Sequence, residues 1–170
     1  FWAGLEENAF EVPSLQAAAS SPEELVVTLK RGENGEAPHD KPLRPLWHAM
    51  AETVVVPPPG VSVTDTLDLV KVTNTIRVIL RQRNGTELQT ADFDFRIDCP
   101  QGNGRMACDT TLLSDDPLVY RPYSQEKTAD DDPEADAASG VTAELSVARL
   151  MEKDSMRLRI AKGGSTLIDV

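Results

Sequence analysis

One strictly alternating stretch, from Asp65 to Gln82 (DTLDLVKVTNTIRVILRQ), constrains the fold of this chain more than any other feature. From Val70 to Arg81, one parity of the stretch is polar or charged except for Ile79. The other is aliphatic except for Asn74, and comprises Val70, Val72, Ile76, Val78 and Leu80. A period of two is typical of a β-strand with one buried and one wet face, whereas a helix needs apolar residues three and four apart. We therefore predict that these residues form the central strand of a β-sandwich, with the aliphatic row in the core.

The parity of the apolar residues changes just before this row. Leu67 and Leu69 lie on the opposite parity to Val70, so the register switches near residues 69–70. A β-bulge would produce such a switch, and so would a chain that crosses from one sheet to another.

Other segments of the chain also alternate, which favours an all-β fold of the sandwich type. The predicted strands are 24–30, 46–50, 53–56, 92–98, 118–123, 141–147, 155–161 and 165–170. Asn84-Gly85 predicts a hairpin turn after the organising strand. Pro57-Pro58-Pro59-Gly60 lacks three ladder donors and predicts a stiff spacer or corner. We predict a domain boundary there, with residues 1–60 the tail of a first sandwich domain and 61–170 a second. The alternative is one continuous sandwich with a proline-rich edge loop.

The charge balance excludes some classes of partner. The chain has 170 residues, 17 of them Lys or Arg and 28 Asp or Glu, which gives a formal net charge of −11. Nucleic acids and anionic lipid surfaces are bound through basic patches, so we expect neither as a partner. No apolar run is long enough to predict a transmembrane helix.

Several short motifs resemble those of one family. They are FWAGL, LKR, PLWHAM, VTNTIRVIL and the pattern NG-x-M-x-x-D-x-x-LLxDD-x-x-x-Y-x-PY, which begins at Asn103. Together they resemble the FimB-like fimbrial anchor family of the Bacteroidales, whose members are surface lipoproteins that hold a fimbrium at the outer membrane. The resemblance implies a transthyretin-like sandwich, a structural role without catalysis or cofactors, and fimbrial shaft subunits as partners. Trp47 and Ala49 depart from the family pattern, which more often has Phe and Gly there.

The resemblance also implies that the family extends beyond this sequence at both ends. We expect a lipid-bearing amino terminus upstream of Phe1 and further strands downstream, so that the second domain is incomplete at its C-terminus. A sheet that lacks its last strands has a vacant edge, and a vacant edge can pair with a strand of another chain. Strand addition is therefore the expected way of binding a shaft subunit.

Cys99 and Cys108 lie symmetrically about Asn103-Gly104. If these two residues form a tight turn, the cysteines face each other as a non-hydrogen-bonded pair, which suits a cross-strand disulfide. Pro100 would occupy a ladder position in that hairpin, so a wider loop is an equal alternative. Two reduced thiols remain the other possibility.

No catalytic or metal centre is predicted. His39 and His48 have no partner spacing and no nucleophile elbow accompanies them, and two cysteines are too few for zinc. Asp130, Asp132, Glu134 and Asp136 alternate but fail the EF-hand template. The rival function is a secreted carbohydrate-binding sandwich in which calcium supports this acidic loop, with Asp115 and Asp116 as further acidic candidates. The aromatic residues that such a module would use are Trp2, Trp47, Tyr120 and Tyr123.

Overall fold

The computed structural model of the chain describes residues 1–5, 9–51, 53–82, 87–128, 140–150 and 155–170. Within those ranges the chain forms thirteen β-strands and two short 3₁₀ helices, at Pro22–Glu24 and Thr90–Asp92, and no α-helix. The prediction of an all-β protein is confirmed.

The strands before residue 74 have two or three residues, and those after it have five to eight except for β8 and β9. In chain order they are β1 Trp2–Ala3, β2 Phe10–Glu11, β3 Val27–Leu29, β4 Trp47–His48, β5 Val70–Lys71, β6 Asn74–Arg81, β7 Phe93–Cys99, β8 Arg105–Met106, β9 Leu118–Tyr120, β10 Pro122–Lys127, β11 Gly140–Val147, β12 Arg157–Lys162 and β13 Ser165–Asp169.

These strands form four antiparallel sheets. The "β6 sheet" has the order β10-β11-β6, and the "β7 sheet" has the order β13-β12-β7-β9. Two smaller sheets, β1-β4-β5 and β2-β3-β8, join early strands to later ones. Apolar side chains of the two large sheets and of β2-β3-β8 pack into a single core, as expected for a sandwich.

The core is built from the inward parity of each long strand. On the β7 sheet it contains Phe93, Phe95, Ile97, Leu118, Tyr120 and Ile160; on the β6 sheet it contains Val141, Ala143, Leu145 and Val147. Deletion of any of these large side chains would leave a cavity, since protein interiors are close-packed.

The organising strand was predicted to be central, and this is wrong. Among the described strands, β6 pairs with β11 alone, so β6 lies at the edge and β11 in the middle of its sheet. β11 is buried on both faces, because Thr142 and Ser146 on its outer face are covered as well. Strict alternation indicates one wet face, which an edge strand satisfies as well as a central one.

The predicted core row divides into two parts. Val72 is buried, while Ile76, Val78 and Leu80 are partly buried and pack against the core. Val70 is 65% exposed, so its assignment to the core is wrong. It lies in β5, the outer strand of the small sheet β1-β4-β5, and the chain passes to the β6 sheet only after Lys71. The parity switch at residues 69–70 precedes this crossing and marks the start of β5, since residues 61–69 form no strand and Leu67 and Leu69 are exposed.

Arg31 fastens the first part of the chain to the second. Its guanidinium forms an ion pair with Asp115, whose side chain is only 4% exposed. It also donates to the carbonyl oxygens of Asp116 (2.9 Å) and Pro117 (3.1 Å). The oxygen that faces Arg31, Asp115 Oδ2, also accepts from the Gly104 N–H (2.9 Å), and Oδ1 accepts from the Asp116 N–H (3.0 Å). Charge-assisted bonds of this kind are stronger than neutral ones, so they hold residues 102–117 against β3.

Further contacts join residues before and after position 60. β3 pairs with β8, β4 pairs with β5, and the Ala37 N–H donates to the Val119 carbonyl oxygen (2.8 Å). Phe10, Val27, Leu29 and Leu46 belong to the same core as the later strands. A domain boundary at residue 60 stays a prediction, and any such boundary would divide this common core.

Asn103 is a buried hub instead of a turn residue. The Tyr120 hydroxyl donates to Asn103 Oδ1 (2.5 Å), and the Asn103 amide donates to the carbonyl oxygen of Arg149 (2.9 Å). The Ala148 N–H in turn donates to the Tyr120 oxygen (3.3 Å). Burial raises the pKa of Tyr120 above its ordinary range, so the phenol remains a donor at all physiological pH values. Buried polar groups that are fully partnered fix the relative positions of the segments that carry them.

The hairpin expected between the two cysteines does not form. Cys99 ends β7 and lies opposite Leu118 of β9, while Cys108 lies in the turn that follows β8. No disulfide joins them. The left-handed position in this region is Gly102, with φ of +63°, and a Cβ there would clash with the Asp116 carbonyl. The turn therefore begins before Asn103, which shifts every residue that was counted outward from Asn103-Gly104.

The strand predicted at residues 53–56 is wrong, because these residues form no strand and their valines are exposed. The hairpin turn predicted at Asn84-Gly85 lies outside the described residues.

We expect Asp115→Ala to destabilise the fold by about 2–3 kcal/mol, because it leaves Arg31 without its carboxylate and the Gly104 N–H without its acceptor. Urea unfolding followed by circular dichroism measures this change. Asp116→Ala is the matched control, since only the main-chain oxygen of Asp116 contacts Arg31. Equal stabilities of the two variants would contradict the role of the ion pair.

Candidate functional site

The outer edge of β6 has main-chain groups with no partner in the described part of the chain. The Gly140 carbonyl accepts from the Thr128 N–H (2.9 Å), so the main-chain groups of Gly140 point toward β10. Main-chain direction alternates along a strand, so the next residue, Val141, points toward β6 and its partner Leu80. By the same alternation, the main-chain groups of residues 75, 77, 79 and 81 point away from β11. They form a row of donors and acceptors open to another strand.

The side chains of that same row lie on the outer face of the β6 sheet. Thr75, Arg77, Ile79 and Arg81 are all exposed, in contrast to the partly buried residues between them. Arg77 Nε donates to Glu144 Oε1 (3.0 Å), and the Tyr123 hydroxyl donates to the other oxygen of Glu144 (2.8 Å). The carboxylate of Glu144 therefore fixes one end of the row.

A polar groove of about 240 Å³ runs over this outer face. Its lining residues are Arg77, Ile79, Arg81, Glu126, Lys127, Thr128 and Thr142. Lys127 forms an ion pair with Glu87. Among the described residues, Arg81 has no ion-pair partner. We call this surface, with the free edge of β6, the "β6 edge site".

Residues 53–70 form an exposed aliphatic segment. Its exposed side chains are Val54, Val55, Val56, Val61, Val63, Leu67, Leu69 and Val70. Between residues 53 and 69, the described residues form one hydrogen bond between main-chain groups, from the Val61 N–H to the Pro58 carbonyl (3.1 Å). Exposed aliphatic surface of this extent is typical of an interaction surface.

A second groove, of about 860 Å³, lies at the small sheet β1-β4-β5. Its lining residues are Phe1, Trp2, Ala3, Gly4, Leu5, Arg44, Pro45 and Trp47. Trp2 lies opposite His48 and Trp47 lies opposite Ala3 in the β1-β4 pair, so the two indoles are on opposite faces of that sheet. They border one groove but do not form a single flat platform. We call it the "aromatic groove".

The two histidines have structural partners. The His48 ring packs against Trp2 with a centroid distance of 4.8 Å, and its Nε2–H donates to the carbonyl oxygen of Cys108 (2.8 Å). Burial lowers the pKa of His48 below its ordinary value, and the hydrogen bond to Cys108 opposes part of that effect. His39 contacts the carbonyl oxygen of its neighbour Ala37 (3.0 Å).

The acidic candidates do not come together within the described residues. Asp115 is occupied by Arg31, and residues 129–139, which include the four alternating acidic positions, lie outside the described ranges. The described part of the chain contains no group of three side chains suited to a metal ion. Tyr120 is in the core, and Tyr123 is on the outer face of the β6 sheet.

The sequence predicted β6 from its aliphatic parity, which faces the core. The residues of the β6 edge site lie on the other parity, which was predicted only to face water. Two arginines around one isoleucine on a polar parity were the available signal. Thr142, Glu126 and Thr128 come from strands 45 or more residues away along the chain, and only the pairing of β10, β11 and β6 brings them to Ile79.

These features define an all-β protein of the sandwich type that offers an unpaired sheet edge and an aliphatic segment to other molecules. The chain belongs to the family of fimbrillin-A associated anchor proteins Mfa1 and Mfa2, which it matches over residues 1–168. The resemblance noted in the sequence is thereby confirmed. Membership implies a fimbria-associated protein at the cell surface.

Three solved structures share the fold. A Bacteroides thetaiotaomicron protein provisionally described as polysaccharide-binding (DUF1812) is 28% identical, with a TM-score of 0.78 over 99% of this chain and 56% of that one. A second protein of that species, provisionally described as an adhesin, is 25% identical, with a TM-score of 0.76 over 99% and 57%. The fimbrial anchor protein Mfa2 from Porphyromonas gingivalis is 14% identical, with a TM-score of 0.69 over 99% and 57%, and shows the fold alone.

The chain spans a little over half the length of these solved structures. None of the curated proteins matches it. In the described residues, we find no helix with the length and apolar character that crossing a membrane requires.

We expect acidification to destabilise the fold through His48. A histidine in the unfolded chain has a pKa of about 6.5, and the pKa of His48 in the folded chain is lower. Between those two pKa values the unfolded chain therefore binds more protons than the folded chain does. Stability therefore falls as the pH drops through that window. The free energy of unfolding in urea, measured between about pH 7.5 and about pH 5.5, should fall more steeply for the natural chain than for His48→Gln.

His39→Gln is the control, because His39 is the other histidine of the chain. It removes an imidazole without removing the contacts that His48 makes with Trp2 and Cys108. Identical pH profiles for His48→Gln and the natural chain would contradict the prediction.

Proposed function

We propose that this chain is part of a fimbrial anchor subunit that binds a fimbrial shaft subunit at the outer membrane. Membership of the anchor family and the open main-chain edge of β6 support the proposal. The attachment to the membrane would use a lipid on a residue outside this sequence. The role is structural, with no catalysis, cofactor or nucleic acid.

The binding mode is addition of a strand to β6. The eight residues of β6 extend over about 26 Å, long enough to pair with a strand of ordinary length. Main-chain hydrogen bonds to residues 75, 77, 79 and 81 would supply the affinity, and the alternate side chains would supply the specificity. The open main-chain edge of β6 is the observation on which the proposal depends most.

The aliphatic segment would add apolar burial. Removing its eight exposed aliphatic side chains from water at an interface would lower the free energy of the complex. Apolar surface of this kind distinguishes an interface core from an ordinary polar surface.

Ile79→Pro should abolish shaft binding while the fold is retained. The Ile79 N–H points away from β11, so proline removes no hydrogen bond of the sheet but blocks the ladder that an added strand needs. The measurement is a titration with a purified fimbrial shaft subunit of the same bacterium, by surface plasmon resonance. We expect the affinity to fall by at least about a hundredfold, since several main-chain bonds are lost together.

Leu167→Pro is the matched control. It places proline at the bulge of β13, an edge strand of the other large sheet, and it also removes an exposed aliphatic side chain. It should leave shaft binding unchanged. Equal binding by Ile79→Pro and the natural chain, with both variants folded, would exclude β6 as the binding edge.

The aromatic groove supports a second candidate, a carbohydrate-binding sandwich. Two indoles, an exposed phenyl ring and Arg44 border a groove large enough for a sugar, which is the usual mixture of apolar walls and a few polar groups. The Bacteroides thetaiotaomicron protein provisionally described as polysaccharide-binding has the same fold at 28% identity. The role of calcium in this candidate would involve acidic residues outside the described ranges.

Trp47→Ala tests the second candidate. Trp47 faces the side of the small sheet away from His48, so its removal should weaken glycan binding without disturbing the core. Isothermal titration with cell-surface polysaccharides, with and without calcium, measures the effect. We expect a loss of about tenfold or more in affinity if the groove holds a sugar, since one stacked aromatic ring contributes at least that much. Binding that is unchanged in Trp47→Ala would assign the glycan to another surface.

A further inference from the structure

We propose that the strand received at β6 carries two acidic side chains around an apolar one, in the pattern acid-x-apolar-x-acid. Arg77 and Arg81 would bind the carboxylates, and Ile79 would pack against the apolar residue between them. The inference rests on the proposed function, because it names the chemistry of the partner strand at the same site.

The spacing follows from the geometry of a sheet. Residues 77, 79 and 81 lie on one face of β6. Two residues along a strand advance about 6.7 Å, so the two arginines are about 13 Å apart with Ile79 midway. A residue directly opposite on a paired strand has its Cβ about 5 Å away. An added strand therefore presents alternate side chains to these three residues in turn.

Both arginines have donors available for a carboxylate. Among the described residues, Arg81 has no ion-pair partner, and it lines the polar groove. Arg77 uses Nε toward Glu144, but its side chain is 62% exposed and its two terminal nitrogens have no described partner. A guanidinium has five donors in a planar fork, which matches a carboxylate.

Ile79 makes the centre of the pattern apolar. It is the one apolar side chain on the outward parity of β6, and it is 48% exposed. A charged residue opposite Ile79 would lose water without gaining a partner, so an aliphatic residue fits there best.

The described acidic groups on this face of the β6 sheet do not cancel this preference. Glu144 is already bonded to both Arg77 and Tyr123. Glu126 lies on β10, two strands from β6 and on the opposite side from an added strand, so it is about 14 Å from that strand. This distance exceeds the screening length of about 8 Å in physiological salt, so among the described residues of this face the two arginines are the charges closest to an added strand.

Three synthetic peptides test the pattern directly. They share a threonine-rich strand with a central valine. They differ only at the positions two residues before and two residues after this valine, which are both Glu, both Gln or both Lys. Binding to the natural chain is measured by fluorescence anisotropy up to millimolar peptide. We expect the Glu peptide to bind at least about tenfold more tightly than the Lys peptide, with the difference shrinking between about 50 mM and about 500 mM NaCl.

The double variant Arg77→Glu/Arg81→Glu should reverse the order, so that the Lys peptide binds more tightly. Lys30→Glu and Lys71→Glu combined make the same change in net charge away from the outer face of β6, and should preserve the original order. Circular dichroism checks that both variants are folded. An unchanged order in the arginine variant, or no binding by any of the three peptides, would overturn the inference.

The shaft titration distinguishes a failure of this inference from a failure of the proposed function. If Ile79→Pro abolishes shaft binding while Arg77→Glu/Arg81→Glu binds normally, strand addition stands and the acidic pattern is wrong. If neither variant alters shaft binding, β6 is not the binding edge, and the proposed function fails at this site.

Discussion

The ion pair between Arg31 and Asp115 is the contact on which the arrangement of this molecule depends. It joins a residue just after β3 to the segment between β8 and β9, 84 positions away along the chain (115 − 31). The same carboxylate holds the Gly104 N–H, and the same guanidinium holds two carbonyl oxygens. Since a buried carboxylate is costly without partners, this set of bonds forms together or not at all. Without it, β3 would keep its pairing with β8 but lose the charged link to residues 115–117.

The second constraint is that β6 is paired on one side and has no described partner strand on the other. One side is paired with β11 over eight positions, and one face packs on the core. The other side offers main-chain groups to solvent, next to a polar groove. Natural proteins usually protect such an edge with charges or a covering segment. Here the charges are arginines, which discourage indiscriminate association while remaining able to bind a complementary strand. Under the proposed function, protection and recognition would use the same side chains.

The sequence was sufficient for the fold class and for the inward row at Val72, Ile76 and Val78, because a period of two is a local property. It failed at Val70, where the chain changes sheet, since alternation within one strand contains no information on which sheet the strand joins. It failed at Asn103-Gly104 because the local turn preference of this pair was outweighed by burial of Asn103 against Tyr120. The groove could not be predicted, as its walls come from three strands that only tertiary pairing brings together.

The register of β6 with β11 has a mechanical consequence under the proposed function. A pull along the axis of β6 loads all eight paired positions in shear at the same moment, so the strand resists until many bonds fail at once. The short pair of β4 and β5 has only two paired positions, which tension would open one after the other. Force applied through the strand that we propose is added to β6 would therefore load this eight-residue pairing in shear.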